Sequence, residues 1–190
     1  ADDAGGLAVG TVEADAHVYY YEVGGISGLA GAQPRTVAGT NGMMSVADFE
    51  ASLRPANVHY PRTTLLCLEN THNRAGGTVM TPAETRALCD AAHAHGLRVH
   101  LDGARLFNAV VKLGVKPVEL TGCVDSVQVC LSKGLCCPVG SLLSGSKEFI
   151  AEARRNRKSL GGGLRQAGFL AAPAIVALTE MVDRLADDHR

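Results

Sequence analysis

Apolar and polar positions fall in alternating blocks along this chain, and the blocks read in turn as strands and helices. "TTLLCLEN" is a short, mostly apolar run of the kind a buried strand shows, and it ends in the polar loop "ENTHNRAGG". "TPAETRALCDAAHAHG" predicts a helix with both ends marked. Thr81 is the N-cap, Pro82 takes the first helical position, Glu84 completes a capping box, and Gly96 closes the C-terminus. "LRVHLDG" predicts the next strand, "RLFNAVVKLG" a helix, "SVQVCLSKG" a strand and "GSLLSG" another, after which Ser146 opens a further helix. Upstream, "SVADFEASLRP" predicts a short helix with Ser45 as N-cap. "AHVYYYEVGG" carries a β-prone aromatic stretch that breaks at Gly24 and Gly25, while residues 1–13 are rich in Gly and Asp and predict no clear element. The last stretch, "VALTEMVDRLADDHR", keeps a helical rhythm that puts Ile175, Leu178, Val182 and Leu185 on one face.

Strands alternating with helices predict an α/β fold, a mainly parallel mixed sheet flanked by helices. In such sheets functional groups collect just beyond the carboxyl ends of the strands. Three of these ends carry polar groups: Glu69 to Asn73, Asp102 to Arg105, and Ser132 with Lys133.

Composition narrows the function without naming it. The chain has 190 residues, 46% hydrophobic and 19% charged, with a formal net charge of -1. That balance argues against broad electrostatic binding of nucleic acid or an anionic membrane. The basic run "RRNRK" from Arg154 to Lys158 is the local exception; its ordinary reading is a solvated helix face, its functional one an anion contact. No stretch is apolar for long enough to span a bilayer, and the start shows no signal-peptide pattern. The six cysteines (67, 89, 123, 130, 136 and 137) form no CxxC pair and no regular framework, which predicts reduced thiols and a cytoplasmic protein. Both ends read as cut: there is no initial Met, and no Gly or Pro stop follows the final helical rhythm.

Each polar strand end has a plain reading beside a chemical one. A lysine at a strand end is ordinarily a solvated charge; Lys133 in a partly desolvated pocket would instead be a nucleophile toward an aldehyde, a Schiff-base lysine. Asp102 can cap the helix that begins near Ala104, or it can face a cationic ring nitrogen. A pyridoxal phosphate (PLP) site needs that pair, a lysine for the aldehyde and an acid for the pyridine nitrogen. Arg105 can pair with Asp102 or clamp a substrate carboxylate in its bidentate fork. A metal reading of His93, His95 and His100 is weak, since His93 and His95 point to different helix faces and His100 lies inside a strand.

Taken together, "HLDGARLFNAVV", "VCLSKGLCCPVGSLLSG" and "ARRNRKSLGGGLRQAGFLAA" closely resemble the L-threonine aldolase family, and "EADAHVYYYEVGG" and "LENTHNRAGG" resemble two further segments of it. The resemblance covers roughly residues 14–190, in order. It implies an aspartate aminotransferase-like PLP domain that is incomplete here, with 14–165 as part of the large domain, 166–190 as the start of the connection to a small domain, and 1–13 matching poorly. It implies that Lys133 binds the cofactor covalently, that Asp102 meets the pyridine nitrogen and that Arg105 binds the substrate carboxylate. His17 would stack on the ring and His72 would approach the substrate hydroxyl, with the proton-abstracting base left open among His17, His72 and a water. Lys158 and Arg165 match positions near the cofactor phosphate, offered across a subunit interface of a dimer or tetramer. The implied reaction is cleavage of the amino acids L-threonine or L-allo-threonine to glycine and acetaldehyde. The bare pair of Lys133 and Asp102 fits an aminotransferase or β-eliminating lyase as well, and an inactive fragment that only associates with full-length subunits is the non-enzymatic alternative. Two features depart from the family pattern. Cys136 and Cys137 stand where many members have small residues, and read as reduced packing residues. The upstream Gly/Thr turn that cups the phosphate and the downstream small domain lie outside these residues.

Overall fold

The computed structural model of the protein describes residues 8–190. Among these residues six strands form one sheet: β1 (Val9–Glu13), β2 (Gln33–Val37), β3 (Thr63–Glu69), β4 (Arg98–Asp102), β5 (Ser126–Cys130) and β6 (Ser141–Gly145), in the spatial order β2-β1-β3-β4-β5-β6. All neighbours among β1 to β5 run parallel, and only β6 lies antiparallel on β5. The expected mainly parallel mixed sheet is what forms. Around it lie α1 (His17–Tyr20), α2 (Gly25–Gly28), α3 (Val46–Ser52), α4 (Pro82–Ala94), α5 (Leu106–Leu113), α6 (Pro117–Thr121), α7 (Lys147–Ser159) and α8 (Gly168–Val176).

Helix boundaries follow the local chemistry. The Thr81 hydroxyl accepts from the Glu84 N–H at 3.3 Å, and the Glu84 carboxylate accepts from the Thr81 N–H at 2.8 Å. These bonds satisfy donors that the first turn of α4 leaves free. At the other end Gly96 adopts φ +73°, a left-handed conformation that glycine enters at little cost, and its N–H reaches the His93 carbonyl at 2.9 Å. Ser45 caps α3 in the same way, with Asp48 returning the bond.

The main core lies on one face of the sheet. Leu66, Leu68, Val99 and Leu101 share that face by strand alternation, and all are buried against Phe49 of α3, Leu88 and Ala92 of α4, and Leu106 and Ala109 of α5. Each Leu, Val or Phe side chain among them contributes about 1.5–3 kcal/mol of hydrophobic stabilisation. The other face carries a polar row in register: Cys67 opposite His100, and His100 opposite Ser126. His100 Nδ1 lies 2.8 Å from the Ser126 hydroxyl, and burial pushes the imidazole below its ordinary value against the opposing charge of Asp102. Burial, with Asp102 adding to it, pushes the Cys67 thiol up to about 12, so it stays a neutral packing group. A second, smaller core joins Leu131, Leu135 and Cys137 to Ala174, Ala177 and Leu185, and so ties the loop after β5 to the C-terminal helices.

Three regions differ from expectation. Residues 1–7 lie outside the described residues, but Val9–Glu13, expected to form no element, is β1, inside the sheet between β2 and β3. Parallel pairing on both sides supplies what its Gly-interrupted sequence lacks. The aromatic stretch is helical rather than extended: His17–Tyr20 is one α turn, Glu22–Gly24 a 3₁₀ turn, and Tyr19, Tyr20 and Tyr21 are exposed. Strand preference for tyrosine reflects packing on a half-buried pleat, and no such surface receives these rings. At the C-terminus Ile175 is 64% exposed and Leu178 38%, whereas Ala174, Ala177 and Leu185 are buried. Pro173 lies inside α8, and a π turn spans Ala177–Met181 before a 3₁₀ segment, Asp183–His189. The change of helical period rotates the buried stripe away from the predicted one.

Candidate active site

Because β1, β3, β4 and β5 run parallel, their carboxyl ends open on one edge of the sheet. Glu13 ends β1, Glu69 ends β3, Asp102 ends β4 as the register partner of Glu69, and Lys133 follows β5. The edge divides into two halves of different character.

In the lysine half the backbone is held and the side chains are left available. Lys133 lies between buried Leu131 and Leu135, its carbonyl accepts from the Cys136 N–H at 2.8 Å, and the Leu131 carbonyl accepts from the Cys137 N–H at 3.0 Å. The next residue, Gly134, packs closely: a Cβ there would stand 2.7 Å from Leu185 Cδ2 and would push that side chain aside. The Lys133 side chain is half-buried, and among the described residues it makes no hydrogen bond or ion pair. Asp102 uses Oδ1 to accept the Ala104 N–H at 3.0 Å, a local turn bond ahead of α5 rather than the helix cap its plain reading predicted, since α5 starts at Leu106 with Arg105 as its N-cap. Its second oxygen remains. Arg105 heads α5 without pairing to Asp102, and lines a cavity of about 310 Å³ with Asn108, Lys112 and Asp188.

The histidine half is bonded throughout. Glu69 accepts the His17 N–H at 2.7 Å with one oxygen and the Asn73 N–H at 2.8 Å with the other. One carboxylate thereby joins the two segments that carry the histidines. His17 is part-exposed, and its Nε2 lies 2.7 Å from the Glu22 carboxylate. His72 is 1% exposed; its Nε2 lies 3.0 Å from Glu13 Oε2, and its Nδ1 accepts the Ala75 N–H at 3.2 Å. Glu13 and Glu22 were not singled out from the sequence. For Glu13 the signal was present, an acid closing an apolar run as Glu69 and Asp102 do, but Gly10 interrupts that run.

The remaining expected site residues are not bonded to this edge among the described residues. Lys158, in the last turn of α7, and Arg165, in the following loop, are exposed, and among the described residues neither bonds to Lys133 or Asp102. The cysteine pair divides: Cys137 is buried and packs as expected, but Cys136 is exposed at φ +60° and is not a packing residue. All six cysteines are free thiols. His93 bonds to Asp125 at 2.9 Å, at the opposite edge of the sheet. Among the described residues no helix is long and apolar enough to cross a membrane.

A mainly parallel sheet flanked by helices is the fold of threonine aldolases and of an aminotransferase among solved structures. A putative L-allo-threonine aldolase from Listeria monocytogenes superposes with a TM-score of 0.80 over 96% of this chain and 48% of that one, at 21% identity, which speaks to fold alone. The chain belongs to the β-eliminating lyase family, whose model matches residues 8–190. A probable low-specificity L-threonine aldolase 2 from Arabidopsis thaliana is 48% identical over 93% of this chain and 50% of its own length. A low specificity L-threonine aldolase from Escherichia coli is 43% identical over 92% of this chain and 52% of its own. The chain thus spans about half the length of the curated relatives it matches. The family's cofactor is PLP. The residues present fit it: an unpaired, half-buried amine at Lys133, and an aspartate with an oxygen to spare on the next strand.

Proposed function

We propose that the whole protein cleaves L-threonine or L-allo-threonine to glycine and acetaldehyde with PLP, and that Lys133, Asp102, Arg105 and His17 carry the site. The observation behind this reading is that one sheet edge presents an unpartnered lysine, an aspartate with a free oxygen, and an arginine that lines an open cavity. When bound, PLP supplies an aldehyde for amines and a ring that accepts the electron pair of a breaking Cα–Cβ bond. Lys133 holds the cofactor through its amine, and Asp102 holds a proton on the ring nitrogen. Arg105 binds the substrate carboxylate through its planar fork and so orients the amino acid. His17 accepts the β-hydroxyl proton at Nδ1, because its Nε2 is engaged by Glu22 and donates to it. Lys158 and Arg165, exposed and basic, serve the cofactor phosphate of a neighbouring subunit in a dimer or tetramer. The six free thiols fit a cytoplasmic location.

The test is release of acetaldehyde from L-threonine by the PLP-loaded protein, with amino-group transfer measured in parallel and Lys133→Ala as control. Aldehyde release that Lys133→Ala abolishes is expected. Amino-group transfer in its place would assign the site to an aminotransferase. The half-length span against the relatives favours one second reading, a chain that only associates with longer subunits. Hetero-oligomers without turnover, on mixing with a full-length form, are the result that reading expects.

A further inference from the structure

The group on this edge that the proposed chemistry does not use is the buried cluster beneath it. Glu13 is 6% exposed and Glu69 8%, yet among the described residues neither forms an ion pair with a lysine or arginine. Burying a carboxylate costs several kcal/mol unless donors surround it. Glu13 has three: Oε2 accepts from the Asp15 N–H at 2.7 Å and lies 3.0 Å from His72 Nε2, and Oε1 accepts from the Gly39 N–H at 3.2 Å. The Glu69 carboxylate stands farther from the same ring, at 3.8 Å. Two glycines make room for the assembly. A Cβ on Gly39 would meet Glu13 Cγ at 2.8 Å, and one on Gly42, at φ +75°, would strike the His72 ring. On the far side of the ring, Nδ1 accepts the Ala75 N–H and therefore carries no proton.

We propose that Glu13 is a positioning residue that locks His72 as the neutral Nε2–H tautomer, so that His72 anchors the Asn73 to Gly77 loop and does not accept the substrate's proton. The ring has one donor and one acceptor in this state, and both are spent on the protein. Taking up a further proton at Nδ1 would set it against the Ala75 N–H inside a buried cage. This inference rests on the aldolase reading only for its consequence, that proton abstraction falls to the part-exposed His17. The arrangement of Glu13 and His72 stands apart from it.

Long-range proton–nitrogen NMR of the imidazole rings in the 190-residue chain tests the lock directly. A single tautomer is expected for His72, with the proton on Nε2 and a bare Nδ1. In Glu13→Gln a single amide oxygen replaces the carboxylate, so that an NH₂ group faces either the Gly39 N–H or the Asp15 N–H and His72 Nε2–H together, and the negative charge that favours the Nε2 proton is gone. That variant is expected to lose the single-tautomer signature and the exchange protection of the Ala75 N–H. Glu69→Gln, altered at the more distant carboxylate, is expected to keep the His72 signature while loosening the His17 and Asn73 amides. A wild-type ring protonated on Nδ1, or a His72 signature unmoved in a folded Glu13→Gln, overturns the proposal. Should Glu13→Gln not fold, the wild-type tautomer alone decides. Failure of the aldolase reading is seen separately, in the threonine-cleavage assay, because the ring signature does not depend on turnover.

Discussion

The two halves of the sheet edge are built on opposite terms. In the histidine half, Glu13, Glu69 and His72 are buried and bonded within the chain, and the segments bearing His17 and His72 share one carboxylate. In the lysine half, the backbone around Lys133 is fixed by Leu131, Leu135 and Gly134, but the amine and the Arg105 guanidinium take no partner among the described residues. Polar groups that satisfy one another contribute to folding, while polar groups left free are available to a ligand. The difference assigns stability to one half and ligand chemistry to the other, and mutations on the two sides should separate accordingly.

The largest effect should come from Lys133→Ala, which on the proposed reading removes the covalent attachment point. Threonine cleavage by the loaded protein is expected to fall at least about a thousandfold, the scale seen on losing a nucleophile. Borohydride should no longer trap PLP on the chain, and thermal stability should stay within about 0.5 kcal/mol of wild type, as for an unpartnered side chain. Retained borohydride trapping would end the assignment. Glu69→Ala should do the reverse and unfold before it inactivates. It strands two part-buried backbone donors, so a loss of about 2–4 kcal/mol in urea unfolding is expected. A variant as stable as wild type would show the histidine half to be less integrated than its bonds imply.

Arg105→Ala should weaken amino-acid binding by about 1.5–3 kcal/mol, the worth of a charge-assisted clamp, and leave PLP binding unchanged. Equal losses for both ligands, measured by titration, would move Arg105 from the ligand half to the structural one. Cys136→Gly tests the one strained position in the lysine loop. A non-glycine residue at φ +60° costs about 1–2 kcal/mol, partly offset by the greater freedom glycine has when unfolded, so a gain of about 0.5–1 kcal/mol is expected in thermal melts. The smallest effect serves as a control at the other edge of the sheet. Burial pushes the Asp125 carboxyl up, but hydrogen bonds from His93, Arg98 and the Val99 N–H outweigh it and hold the group below its usual range. A lowered native value means that this stabilisation is present above the unfolded value, about pH 3.9, and is lost as pH falls through the native one. Asp125→Asn should flatten that acid limb of the stability curve and leave both halves of the site unaltered; an unchanged limb would show that other carboxylates carry it.

Wherever the chemistry was local, the sequence alone determined the outcome. The capping box at Thr81 and Glu84, the left-handed glycine at Gly96 and the apolar runs of β3, β4 and β5 each act over a few residues, and each formed as read. Strand direction then followed from the alternation with helices, which brought Asp102 and Lys133 to one edge. What the tertiary structure decided depends on partners distant along the chain. Val9–Glu13 is a strand because β2 and β3 flank it, and the aromatic stretch turns helical with its first backbone N–H held by Glu69, 52 residues away. Likewise Glu13 and His72 meet across 59 residues, and the C-terminal stripe rotates where a π turn interrupts its period. No window of neighbouring residues contains those contacts: a buried carboxylate is tolerable only once folding has gathered its donors, and the donors come from three separate loops.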